Sequence, residues 1–247
     1  MHSNPVVNGL LSGAVAALVA AVLHLAFLQP ILLRAEEYET GARVHSFVAA
    51  AGHDEVTADA YIGPAQEHSA IPTRFDMPID LVRDAETVGF FLLTYAAFGL
   101  LLAAAVDVAR RRGYVPGAGH AALWGAAGFA AFALVPSFGL APEPPGSAAG
   151  DLVFRQAWWI GCSAITLGTI LALVVGRPRG LWVGLGSVAL AGMMFIVPAP
   201  AALTGLVPPE LAGLFATRAV GLSAAAWLVL SHCILREARS GATPAHA

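Results

Sequence analysis

The chain has 247 residues, of which 57% are hydrophobic and only 12% are charged, and its mean hydropathy is +0.72. These few polar side chains cannot cover the surface of a soluble domain of this length. The composition therefore indicates an integral membrane protein. All 13 basic side chains are arginine and the formal net charge is −3.

Six apolar runs are long enough to cross about 30 Å of hydrocarbon as helices. In chain order they cover residues 7–28, 87–106, 120–140, 157–175, 181–198 and 212–235. The fifth run is the shortest and ends at Pro198, and the sixth contains Arg218, so these two are the weaker candidates. The sequence therefore predicts an all-α fold: a single polytopic helix bundle of five to six transmembrane helices, occupying residues 1–247.

The arginines predict the orientation, because positively charged short loops remain on the cytoplasmic side of a membrane. The arginines of the short connections and the C-terminal segment are Arg110, Arg111, Arg112, Arg177, Arg179, Arg236 and Arg239. They all lie on one side if both termini are cytoplasmic. The long loop 29–86 then lies outside with eleven of the sixteen acidic residues, and Glu143, Asp151 and Glu210 join it there. We therefore expect a strongly acidic outer face.

The stretch "HLAFLQPILLRAEEYE", residues 24–39, ends the first apolar run with groups that bind cations. Its carboxylates reach the outer surface in the predicted orientation, and histidines follow in the loop. Imidazole mixed with carboxylate suits borderline divalent ions such as Co²⁺, Ni²⁺ or Zn²⁺. The histidine inside the span is a functional candidate, since an ionisable group is costly in a bilayer. The candidate metal ligands are His24, Glu36, Glu37, His45 and His53.

Each of these candidates also has a purely structural interpretation. An acidic cluster at a helix end is commonly a solvated surface, and Glu39 with Arg43 at i,i+4 can simply support the helix. His24 can be a histidine hydrogen-bonded within the bundle. The "HDE" stretch at 53–55 is equally typical of an exposed loop, because no second histidine stands at a metal-ligand spacing such as HxxxH.

Motifs for nucleotide binding and common hydrolytic chemistry are missing from the sequence. It contains no Walker A loop, HExxH, GxSxG or dinucleotide fingerprint. The predicted cytoplasmic segments are too short for a nucleotide-binding domain, so an ATP-driven step would need another subunit. An intramembrane enzyme using His24 or His232 as a base lacks a paired nucleophile, so we expect no enzyme activity.

Four segments carry a resemblance to a known family: "QPILLRAEEYE", "WGAAGFAAFALVPSFGLAPEPPG", "RQAWW" and "VPPELAGLF". In this order and spacing the chain resembles the CbtA family, the predicted cobalt transporter membrane subunit. The resemblance implies a bacterial inner-membrane protein of about five spans that acts in cobalt uptake linked to cobalamin supply. It also implies a small single-span partner, CbtB, whose histidines help to handle the metal.

Two functional hypotheses follow. In the first, the acidic outer face concentrates divalent cations, and Glu36, Glu37 and His45 pass the metal toward His24 inside the bundle, with no permanently bound cofactor. In the second, the chain is a non-transporting scaffold for a separate permease. In that case helix-packing faces would matter more than any metal ligand, such as the small-xxx-small face offered by the "GLLSG" stretch at residues 9–13.

Overall fold

The computed structural model describes residues 4–42, 79–114, 119–175, 178–198 and 205–240, and all regular structure in these ranges is helical. This confirms the predicted all-α class. The helices, in chain order, are α1 (Pro5–Glu39), α2 (Leu81–Arg111), α3 (His120–Ser137), α4 (Leu152–Val175), α5 (Arg179–Met194) and α6 (Pro209–Ser240).

Five of these helices are long and apolar enough to cross a membrane. The exception is α5, whose 16 residues reach only about 24 Å, short of the roughly 30 Å of a hydrocarbon core. Of the two weaker candidates, the sixth run therefore forms a full-length helix and the fifth a partial one. The result agrees with the predicted five to six spans.

Two helices extend into the segment that hydropathy assigns to the first outer loop. Helix α1 continues past Pro30 to Glu39, and α2 begins at Leu81. Asp80 caps α2, since its carboxylate accepts hydrogen bonds from the backbone N–H groups of Val82 and Arg83 at 3.1 Å each. Hydropathy marks only the part of a helix that lies in hydrocarbon, so it misses helical turns that continue into water.

Helices α1 and α2 pack at backbone contact over much of their length. A Cβ added at Gly9 would lie 2.9 Å from the Gly99 carbonyl oxygen, and one at Gly13 would collide with the Tyr95 carbonyl. Above this contact, α1 buries a face of alanines that includes Ala16 and Ala20. The predicted small-xxx-small face is therefore the surface on which α1 packs against α2.

Helix α6 completes the core by packing against both α1 and α3. Its Trp227 is 2% exposed and lies over Gly128 of α3, where any side chain would collide with the indole ring. Helices α4 and α5 form a hairpin whose main contact with this core is through the C-terminal end of α3. The described chain thus has a four-helix core with a peripheral hairpin.

Two helices contain a π-helical segment, at His24–Leu28 in α1 and Ala130–Leu134 in α3. Each segment ends two residues before a proline, Pro30 or Pro136. A proline has no N–H to donate and its ring clashes with the carbonyl four residues earlier, so the wider turn accommodates it without breaking the helix.

Neighbouring helices hold both π segments in place through backbone carbonyls. The Arg218 guanidinium of α6 donates a 2.8 Å hydrogen bond to the Phe27 carbonyl. The Trp159 indole of α4 donates at 3.2 Å to the Phe132 carbonyl. Arg218, a charged residue in an apolar run, therefore provides a hydrogen-bond donor for a carbonyl three residues before Pro30.

Candidate functional site

His24 is the first residue of the π segment in α1 and its side chain is half-buried. Its ring lies 5.4 Å from the Phe91 ring of α2, measured between centroids and tilted by 60°. Phe91 in turn stacks on Tyr95, which is 4% exposed in the core. His24 therefore lies at the α1–α2 interface, which is the condition for a functional intramembrane histidine.

The π segment places Gln29 one turn beyond His24, toward the C-terminal end of α1. The Gln29 backbone N–H bonds to the His24 carbonyl, a five-residue spacing that puts both residues on nearly the same side of α1. In a regular α-helix, five residues correspond to a rotation of about 500°, which would point the two side chains apart. The wider turn thus aligns an imidazole with an amide along the α1–α2 interface.

Gln29 is itself buried and only half satisfied. The residue is 3% exposed, and its amide nitrogen donates a 2.8 Å hydrogen bond to the Asp84 carboxylate of α2. Its amide oxygen Oε1 is buried and accepts no hydrogen bond from any residue that the structure describes. Since buried polar atoms in folded proteins are nearly always paired, this oxygen is exceptional.

Glu36 lies further out on α1 and is paired with an arginine. Its carboxylate is 3.2 Å from the Arg83 guanidinium, and both side chains are about one-third exposed or more. Twelve residues separate Glu36 from His24, about 18 Å along a helix, so the two cannot ligate one ion. Glu37, beside it, is half-exposed.

The predicted ligands do not converge on one centre in the part of the chain that the structure describes. There, no group of three or more histidine, cysteine or acidic side chains is arranged to hold a metal ion. His45 and His53 lie outside the described residues, as does most of the loop that carries them. His24 and the two glutamates are instead distributed along the C-terminal half of α1.

The sequence analysis did not select Gln29 as a candidate, and it used Asp84 only in the count of acidic residues. Two features of the sequence could have indicated these residues. A glutamine directly before a proline in an apolar run is unusual, and Asp84 precedes Phe91 by seven residues, two turns of the same helix face. Which residue of α1 faces Asp84 depends on the π register, and hydropathy does not report it.

A cavity of about 620 Å³ lies between the C-terminal end of α3, the N-terminal part of α4 and residues 219–223 of α6. Its walls are mainly apolar, with Arg155, Gln156 and Ser223 among the polar lining residues. Arg155 is held 2.9 Å from Glu143, so its charge is already paired. Phe132, another lining residue, contacts the Phe98 ring, which in turn contacts Tyr95 in the core. This side of the cavity is therefore apolar.

A family model described as "Probable cobalt transporter subunit (CbtA)" matches residues 3–234, nearly the whole chain. The chain belongs to the CbtA family. No curated relative and no solved structure shows significant similarity to it. As a CbtA protein with five long apolar helices, it is a multi-pass membrane protein of a cobalt transport system. The description as a subunit implies that further components belong to that system.

Proposed function

We propose that this CbtA protein is the subunit through which Co²⁺ enters the cell. In this proposal the outer groups Glu36, Glu37, His45 and His53 collect the cation, and His24 receives it within the bundle. The observation that carries the proposal is the position of His24: half-buried at the α1–α2 interface, at the start of a π segment, in a cobalt transporter family.

An acidic outer face would serve this function by raising the local cation concentration and the rate of encounter, without tight binding. Several weak sites suit transport better than one tight site, because a permeating ion must leave each site as well as enter it. The wide separation of His24 from Glu36 along α1 is consistent with such successive sites and not with a single chelating centre.

The same proposal includes the cellular setting. The chain would lie in a bacterial inner membrane with both termini in the cytoplasm, because the arginine-rich connections favour that side. A small single-span CbtB-like protein would be its partner, which fits the family's description as a subunit. The transported ion would be the only metal involved, with no resident cofactor and no catalytic step.

One observation favours a second candidate, a scaffold that stabilises a separate permease. The α1–α2 contact through Gly9, Gly13 and Gly99 makes a rigid helix pair that needs no ligand. A scaffold would tolerate the loss of His24, whereas the transporter would not.

Radiolabelled Co²⁺ accumulation in cells expressing the chain, with and without its small partner, tests the proposal. We expect His24→Phe, which keeps an aromatic ring against Phe91 but removes both ring nitrogens, to reduce accumulation at least about tenfold. His232→Phe is the matched control, because His232 is an exposed histidine near the C-terminal end of α6. Normal accumulation by His24→Phe, with equal protein in the membrane, would favour the scaffold.

A further inference from the structure

We propose that Gln29 and Asp84 form a binding site for the transported divalent cation, one helical turn outward from His24. The inference rests on the proposed transport function and deepens it, because it assigns the ligands of one step on the path. It adds a carboxylate at the α1–α2 interface between the collecting groups, such as Glu36, and His24.

The buried amide is the first observation that points to a cation. The Gln29 amide nitrogen donates to Asp84, and Oε1 is buried with no donor among the described residues. An amide whose only role was to hold α1 against α2 would gain by satisfying both of its ends. An amide oxygen is also a common ligand of divalent cations, as is the carboxylate beside it.

The geometry of the pair provides the second observation. The Gln29 amide nitrogen and the Asp84 oxygen are 2.8 Å apart. Neighbouring oxygen ligands of an octahedral ion with bonds of about 2.1 Å lie about 3 Å apart. A half-turn of the terminal amide about its last side-chain bond would bring Oε1 to the position of the nitrogen. Two oxygens would then stand at nearly the spacing that a small divalent ion requires.

The π segment of α1 provides the third observation. Gln29 follows the π segment directly and precedes Pro30, so the site lies where α1 departs from regular geometry. π-helical turns within α-helices are frequent at functional sites. The same register aligns Gln29 with His24, which provides the next ligand inward.

The chemistry of the pair suits a step in transport. One carboxylate and one amide oxygen bind a divalent ion weakly, so the ion can move on. Oxygen ligands alone would not distinguish Co²⁺ from Mg²⁺ or Ca²⁺, whereas an imidazole nitrogen favours Co²⁺. Selectivity would therefore arise when the ion reaches His24.

Calorimetric titration of the purified full-length protein with CoCl₂ tests the site. We expect Asp84→Asn and Gln29→Leu each to weaken Co²⁺ binding by about tenfold or more, and Gln29→Glu to retain or tighten it. Asp107→Asn is the matched control, since Asp107 lies at the other end of α2 in an ion pair with Arg111. Unchanged binding in Asp84→Asn would overturn the assignment.

Thermal unfolding of Gln29→Glu separates a cation site from a structural hydrogen bond. Two facing carboxylates repel, so this variant should unfold at a lower temperature in chelator. If the pair binds a cation, Co²⁺ should raise the Tm of the variant more than that of the original chain. If Gln29 only holds the helices together, the loss in Tm should be the same with and without Co²⁺, and the proposal fails.

Failure of the site and failure of the transport function give different results. Cells that accumulate Co²⁺ normally when they express Asp84→Asn, with binding also unchanged, refute the site and leave the transport function intact. Binding that depends on Asp84, in a chain whose expression gives no Co²⁺ accumulation with its partner present, refutes the transport function and leaves the binding site.

Discussion

In the proposed transport function, Arg83 would compete with an incoming cation for the Glu36 carboxylate near the C-terminal end of α1. The Arg83 guanidinium lies 3.2 Å from the Glu36 carboxylate, and Arg83 directly precedes Asp84 in the sequence. The pair is partly exposed, so it contributes at most about 1 kcal/mol to stability. Its effect on transport would be larger under the proposed function, because the positive charge of the arginine would repel Co²⁺ from Glu36 and Asp84.

We predict that Arg83→Gln accelerates Co²⁺ uptake at low metal concentration. A unit charge about 8 Å from a divalent ion in water costs about 1 kcal/mol, or about fivefold in local concentration. The gain in initial rate should be evident near 0.01 M ionic strength and largely lost at 0.15 M, where screening acts over about 8 Å. Arg111→Gln, at the other end of α2, should have no such effect, and an unchanged or slower rate in Arg83→Gln would contradict the prediction.

At the scale of elements, the contact of α1 with α2 determines the register on which the candidate site depends. Gly9, Gly13 and Gly99 bring the two backbones together, and the same pair of helices then places Phe91 against His24 and Asp84 against Gln29. A side chain at the glycine contact would separate the helices along their length and so disturb both pairings.

We predict that Gly99→Ala destabilises the bundle by about 1–3 kcal/mol, because its Cβ would collide with the Gly9 carbonyl. Gly89→Ala makes the same substitution in the same helix at a position where an added Cβ meets nothing within 4 Å. It should be neutral or stabilising by up to about 1 kcal/mol. Denaturant unfolding in detergent measures both, and equal stabilities for the two variants would refute the role of the glycine contact.

At the scale of the whole molecule, the C-terminal end of α1, the α3–α4 loop and the segment before α6 meet at one surface. A Cβ added at Gly146, in the loop between α3 and α4, would lie 3.3 Å from the Glu39 Cβ at the end of α1. The Leu206 N–H, just before α6, donates to the Gly146 carbonyl at 3.1 Å. Gly146 has a φ of +78°, so a side chain there would be strained as well as crowded.

We predict that this surface faces the outside of the cell and that the α2–α3 connection faces the cytoplasm. In a chain with Cys162 and Cys233 replaced by alanine, a membrane-impermeant maleimide should label Thr40→Cys in intact cells. It should label Gly119→Cys only after permeabilisation. Both positions are exposed. The reverse pattern would invert the topology and place the acidic face on the cytoplasmic side.

The sequence by itself determined the class of molecule and the family. Long apolar runs must be helices in hydrocarbon, since each backbone N–H and carbonyl has to be satisfied within its own segment. This reasoning located the five long helices and the weak fifth run. The motifs from "QPILLRAEEYE" to "VPPELAGLF" indicated the CbtA family, whose model matches residues 3–234. The search for apolar runs also singled out His24, because a histidine in such a run is conspicuous.

Only the tertiary structure decided which groups meet His24 and Gln29. Gln29 and Asp84 are 55 residues apart in the chain, and their contact requires both the α1–α2 packing and the π turn before Pro30. A hydropathy profile contains neither the packing nor the π turn, because it averages single residues along the chain and ignores which helix faces are in contact. The same limit explains why Glu36 was selected as a ligand without its partner Arg83: the pairing is set by the register between two helices, which a linear pattern does not contain.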